Sequence, residues 1–93
     1  MAIEMMGLCI EIDEEGVVQA LREAAEKLNS VEGEVTLDFS SAPRIDPSAI
    51  RALQEFADIA DDRGVTVVLR GVNIGVYKVL KLVKLAGRFS FVS

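Results

Sequence analysis

Two runs of five residues, Val35-Thr36-Leu37-Asp38-Phe39 and Val65-Thr66-Val67-Val68-Leu69, set the tightest limit on what this chain can fold into. Each is largely apolar and rich in β-branched residues, the form a strand takes when both of its faces are covered. Between them stand Asp46-Pro47, a stretch reaching Arg63, and then Gly64. Asp is a favoured helix N-cap, Pro fits the first helical position where no amide donor is needed, and Gly ends a helix. The segment therefore reads strand, helix, strand with short connections. That is a βαβ unit with parallel, central strands and a right-handed crossover.

The same alternation extends in both directions. Leu8 to Ile12 is a short apolar run that stops at the acidic cluster Asp13-Glu14-Glu15, as a first strand would before a helix start. From Val17 to Asn29, the residues Val17, Val18, Leu21, Ala24, Ala25 and Leu28 recur at helical spacing, with charged residues between them. A third helix is expected from about Ile74 to Leu85 and a last short strand at Phe89 to Val92. In a chain of 93 residues, 51% of them apolar, this is enough for one core. The expected fold class is α/β: a single small domain with a mostly parallel four-stranded sheet and three helices packed on it. Residues 8–93 form that domain, and residues 1–7 a tail or short edge strand.

Catalytic chemistry has little to work with. There is no histidine, which removes the commonest general base and metal ligand and excludes Ser–His–Asp and Cys–His arrangements. Cys9 is the single cysteine and reads as a small buried hydrophobe. Gly71-Val72-Asn73-Ile74-Gly75 follows a strand and opens a helix, but its glycines do not match the spacings that cradle phosphates, so it reads as a loop and helix cap. Asp38 and Asp46 could approach each other at strand ends; with no metal motif beside them, the N-cap accounts for Asp46. No enzyme activity, cofactor or metal is expected.

Charge is divided along the chain. The net charge is −5, against nucleic acid as a partner. All 15 acidic residues lie at or before Asp62 beside only four basic ones, a balance of −11, whereas the last 31 positions carry six basic residues and no acidic one. Such asymmetry steers association with a partner or with a second copy of the chain. No apolar run approaches the roughly 20 residues that span a bilayer. The start Met1-Ala2-Ile3-Glu4 has neither the basic nor the apolar region of a secretory signal. A cytoplasmic location without membrane insertion is expected.

The last two helices carry more apolar surface than one packing face needs. On the Asp46–Asp62 helix, Ile50, Leu53, Ala57 and Ala60 make one stripe, and Ala49, Ala52, Phe56 and Ile59 a second beside it. On the next helix, Val76, Tyr77, Leu80 and Val83 can face the sheet, which sends some of Val79, Leu82 and Leu85 elsewhere among Lys78, Lys81 and Lys84. A contiguous exposed remnant marks a protein contact.

The run from Val35 through Ile45-Asp46-Pro47-Ser48-Ala49 to Leu53, continued by Asp62-Arg63-Gly64-Val65 and Leu69-Arg70-Gly71-Val72, resembles the STAS domain family of anti-sigma-factor antagonists and transporter-associated modules. The resemblance covers most of the chain from about residue 8. It implies a protein-interaction module without catalysis. In phosphorylation-controlled members, an Asp-Ser-Ser-Gly turn opens this helix and a partner kinase modifies its second serine, the position of Ser48; Pro47 stands for the first serine here and Ala49 for the glycine. The resemblance thus implies Ser48 as a phosphoswitch, with Asp46, Pro47, Ala49, Ala52, Phe56 and Ile59 meeting an anti-sigma factor or serine kinase. Gly71 to Leu82 is also similar to the small STAS subunit of the ATP-driven phospholipid transporter, which implies the alternative of a non-phosphorylated subunit docked on a transporter ATPase.

Overall fold

The computed structural model describes residues 7–92. The expected tail or edge strand over residues 1–7 lies outside them, apart from Gly7 at the start of the first strand. Four strands, β1 (Gly7–Glu11), β2 (Glu34–Asp38), β3 (Thr66–Arg70) and β4 (Ser90–Val92), alternate with three helices, α1 (Val17–Lys27), α2 (Pro47–Asp62) and α3 (Ile74–Leu82). Short 3-10 turns at Glu14–Gly16, Leu28–Ser30 and Ala86–Arg88 complete the connections. All neighbouring strands are parallel and stand in the order β1-β2-β3-β4, so each helix is the crossover between adjacent strands. This is the expected α/β architecture.

The register sorts the side chains into two faces. Leu8, Val35 and Val67 stand abreast, as do Ile10, Leu37, Leu69 and Phe91, and these rows face the helices. Cys9, Thr36, Val68 and Ser90 form the central row of the opposite face. Cys9 is exposed there, which overturns its reading as a buried hydrophobe. Val17, Leu21, Ala24 and Leu28 bury one side of α1 at i, i+4, i+7 and i+11, and α2 contributes Ala49, Leu53, Phe56, Ala57 and Ala60. From α3 and its exit come Val76, Leu80, Leu85 and Phe89. All three helices meet one core with one face of the sheet, and full burial of a side chain such as Leu53 contributes about 2 kcal/mol.

Both later helices begin on a side-chain cap and end in a residue of positive φ. Asp46 and Asn73 are the N-caps of α2 and α3. α2 stops at Gly64, whose φ of 69° suits a residue without a Cβ. α3 stops at Leu82 rather than Leu85, because Lys84 adopts a φ of 65° and Leu85 turns back to donate to the Leu80 carbonyl at 2.8 Å. This turn points Leu85 into the core instead of leaving it on the helix surface.

Candidate functional site

The loops leaving β2 and β3 converge at the C-terminal end of the sheet, and the start of α2 rises from them. Asp38 closes β2 by accepting the Ser40 amide at 2.9 Å. Hydrogen bonds from the Ser40 hydroxyl and amide hold the Asp38 carboxyl below its ordinary value; burial opposes them, and the nearby positive charge of Arg70 adds a smaller lowering effect. Gly71, at a φ of 72°, leans against this turn. A Cβ there would overlap the Ser40 hydroxyl and come within 3.0 Å of its amide nitrogen, so only glycine lets the two loops touch.

Further along, Arg44 reaches Glu14 at 3.7 Å, both well exposed, a contact of small energetic value. Asp46 accepts the Ala49 amide at 2.8 Å. Asp38 and Asp46 are therefore each bound to a local amide rather than to each other. Pro47 takes the first helical position, and Ser48 the second, exposed and pointing away from the core. Its own amide has no protein acceptor among the described residues. An anion on the Ser48 hydroxyl would meet that amide, the positive end of the α2 dipole and Arg51 one turn along.

Of the residues expected to touch a partner, Asp46, Pro47 and Ser48 are exposed, and Ala52 and Ile59 are half-buried on the flank of α2. Ala49 and Phe56, 2% and 1% exposed, belong to the core. This corrects the expectation that they meet a partner: their stripe of α2 is consumed by the packing of the helix on its own domain. Beside the core stripe runs a line at i, i+4, i+7, i+11 and i+14, Ser48, Ala52, Glu55, Ile59 and Asp62, exposed or half-buried throughout, and Arg51, Gln54, Asp58 and Asp61 are exposed on the adjoining side. Glu55 and Asp62 were not singled out by their residue type; only the orientation of α2 brings them beside Ser48.

A second feature spans two loops. Asn73 accepts the Val76 amide with Oδ1 at 2.8 Å, capping α3, while its Nδ2 donates to the Pro43 carbonyl at 2.7 Å. The sequence marks this segment as a cap, but the partner 30 residues away has no signature in it. Beyond the cap, α3 is unusual for its surface. Ile74 and Leu82 are 73% and 82% exposed, with Lys78 and Lys81 between them on the same side. Tyr77, by contrast, turns toward β4 and meets Phe91 edge to face, ring centroids 5.0 Å apart. Among the described residues, no group of His, Cys, Asp and Glu could hold a metal ion, and no helix is long and apolar enough to cross a membrane.

Comparison with known proteins agrees with this geometry. A family model described as "Mlab, STAS domain" matches residues 11–92. A search of curated protein sequences finds no match. The fold is similar to that of a sulfate transporter family protein from Wolinella succinogenes, with a TM-score of 0.78, 22% identity, and 98% of this chain and 80% of that one covered. It is likewise similar to the STAS domain of a SulP transporter from Vibrio cholerae, with a TM-score of 0.70, 20% identity, and 99% of this chain and 76% of that one covered.

Proposed function

The chain belongs to the STAS domain family, and from that premise we propose that it is a non-catalytic interaction module that docks on a protein partner through the exposed side of α2. The observation that carries this reading is the line from Ser48 through Ala52 and Glu55 to Ile59, exposed or half-buried along a helix whose opposite side, Ala49, Leu53, Phe56, Ala57 and Ala60, is committed to the core. A docking surface built on a rigid helix keeps its geometry without a partner and so loses little entropy on binding.

Two partners compete for the assignment. The family description and the two transporter-associated neighbours favour a transporter component, and the similarity of Gly71 to Leu82 to the phospholipid-transporter subunit makes that component an ATPase, which the module would steady without being phosphorylated. The alternative is partner switching, with an anti-sigma factor or serine kinase that modifies Ser48. Its support is the first-turn position of Ser48, where a dianion would meet an unpaired amide and change the charge of the docking face. Pro47 and Ala49, in place of the serine and glycine of the phosphorylated pattern, weigh toward the transporter.

Affinity capture from the chain's own cells separates the readings when wild type is run beside Ser48→Trp, which adds bulk, and Ser48→Asp, which adds charge. The expected result is a transporter ATPase held by wild type and by Ser48→Asp but lost with Ser48→Trp. Loss of a small serine kinase with Ser48→Asp would move the assignment to partner switching. Capture indifferent to both substitutions would remove this surface from the interface.

A further inference from the structure

The charge division of the sequence becomes a spatial one on the outer side of the helical layer. α2 and α3 lie on the same face of a parallel sheet, each as the crossover between adjacent strands, and so run in the same direction. The exposed C-terminal half of α2 carries Glu55, Asp58, Asp61 and Asp62; the C-terminal half of α3 and its exit carry Lys78, Lys81 and Lys84. Only Asp58 is paired, with Arg88 at 2.8 Å, among the described residues. Four carboxylates at the negative end of a helix dipole are unfavourable for an isolated helix. Their placement makes sense if something positive covers them.

We propose that this outer face of α2 and α3 is a homodimer interface, closed by a twofold axis running between the two helices and along them. That rotation lays the α2 of one copy over the α3 of the other, and because both helices run the same way, C-terminal half meets C-terminal half. The carboxylates of one copy then face the lysines of its partner, twice. Apolar spacing follows the same registration. Ile74 and Leu82 are eight residues apart, about 12 Å along the axis, and Ala52 and Ile59 seven apart, about 10 Å. Leu82, the most exposed large apolar side chain among the described residues, would be drawn out of water against the partner's α2, with Ile59 at the edge of the contact. An isologous contact of this kind closes on itself instead of growing into a filament. It also hides Ala52 and Ile59, so self-association and docking of another protein would exclude each other.

The test is made on the purified chain alone, so that its failure leaves the docking proposal standing. Sedimentation velocity over a range of concentrations should show a species of twice the 10.1 kDa chain mass. Its dissociation constant should rise by about tenfold or more in high salt, as unlike charges across the interface are screened. Lys78→Glu with Lys81→Glu should leave a monomer, and adding Glu55→Lys and Asp62→Lys to that chain should restore the dimer. Leu82→Asp, at a position too exposed to affect folding, should also give a monomer. A wild-type monomer at every concentration, or a dimer indifferent to these substitutions, overturns the proposal. So does a monomer that sediments with vesicles of equimolar phosphatidylglycerol and phosphatidylcholine, which would give the lysine face to a lipid surface.

Discussion

Asn73 has two structural duties that different substitutions can separate. Its Oδ1 caps α3 and its Nδ2 ties α3 to the loop before α2. Asn73→Asp keeps the acceptor at a helix start, where a carboxylate is favoured, and loses only the donor to Pro43. Asn73→Ala loses both, with the cap alone worth about 1 kcal/mol. Hydrogen exchange should therefore quicken around Ala42 to Asp46 in both variants, and in the first turn of α3 only in the alanine variant. Asp38 offers a second residue-level test. Its carboxyl is held below the ordinary 3.8 mainly by hydrogen bonds from Ser40, so its contribution to stability is present above the unfolded-state value and is lost as pH falls through the lower folded-state one. Asp38→Asn should lower the urea midpoint near neutral pH and make it less sensitive to acid below about pH 4. A variant with the acid limb of wild type would remove Asp38 from the account.

At the scale of elements, α2 and α3 end in the same motif with different residues in the left-handed position. After α2, Gly64 donates to Asp61 and Val65 to Ala60, at 3.2 and 2.9 Å; after α3, Lys84 donates to Lys81 and Leu85 to Leu80, at 3.1 and 2.8 Å. Both are Schellman turns, in which glycine is the usual residue at that site. The strands and the α2 boundaries were legible because Asp46-Pro47 and Gly64 carry their conformations in their covalent structure. The end of α3 was not, since nothing in a lysine announces a positive φ. The same limit explains the site. Ser48 was readable as a first-turn residue, whereas two adjacent apolar stripes do not say which of them a neighbouring helix and the sheet will absorb, and Ala49 and Phe56 went to the core. Lys84→Gly should relieve the strain and raise stability by roughly 0.5–1 kcal/mol, net of the added freedom of the unfolded chain. In a domain of this size that is a rise of about 4 °C in Tm by calorimetry. No gain would mean that Lys84 makes a compensating contact.

For the whole molecule the decisive quantity is how little stability there is to lose. A single core of this size leaves a net stability of about 5–10 kcal/mol. Removing the Phe56 ring, 1% exposed at the centre of α2, costs about 3–5 kcal/mol through lost burial and an unfilled cavity. Phe56→Ala would thus remove a large part of that stability and weaken any partner interaction through the fold rather than through a lost contact. Its effect on capture alone would say nothing about where the partner sits. Ser48 is exposed, and a substitution there should move stability by no more than about 0.5 kcal/mol. Urea unfolding followed by circular dichroism should accordingly show a much lower midpoint for Phe56→Ala and an unchanged one for Ser48→Trp. If capture is lost in both, only the second loss locates the interface. A Ser48→Trp chain that unfolds as easily as Phe56→Ala would mean that the start of α2 is held by packing rather than free to dock, and the proposed surface would have to move to α3, where Ile74 and Leu82 stand exposed.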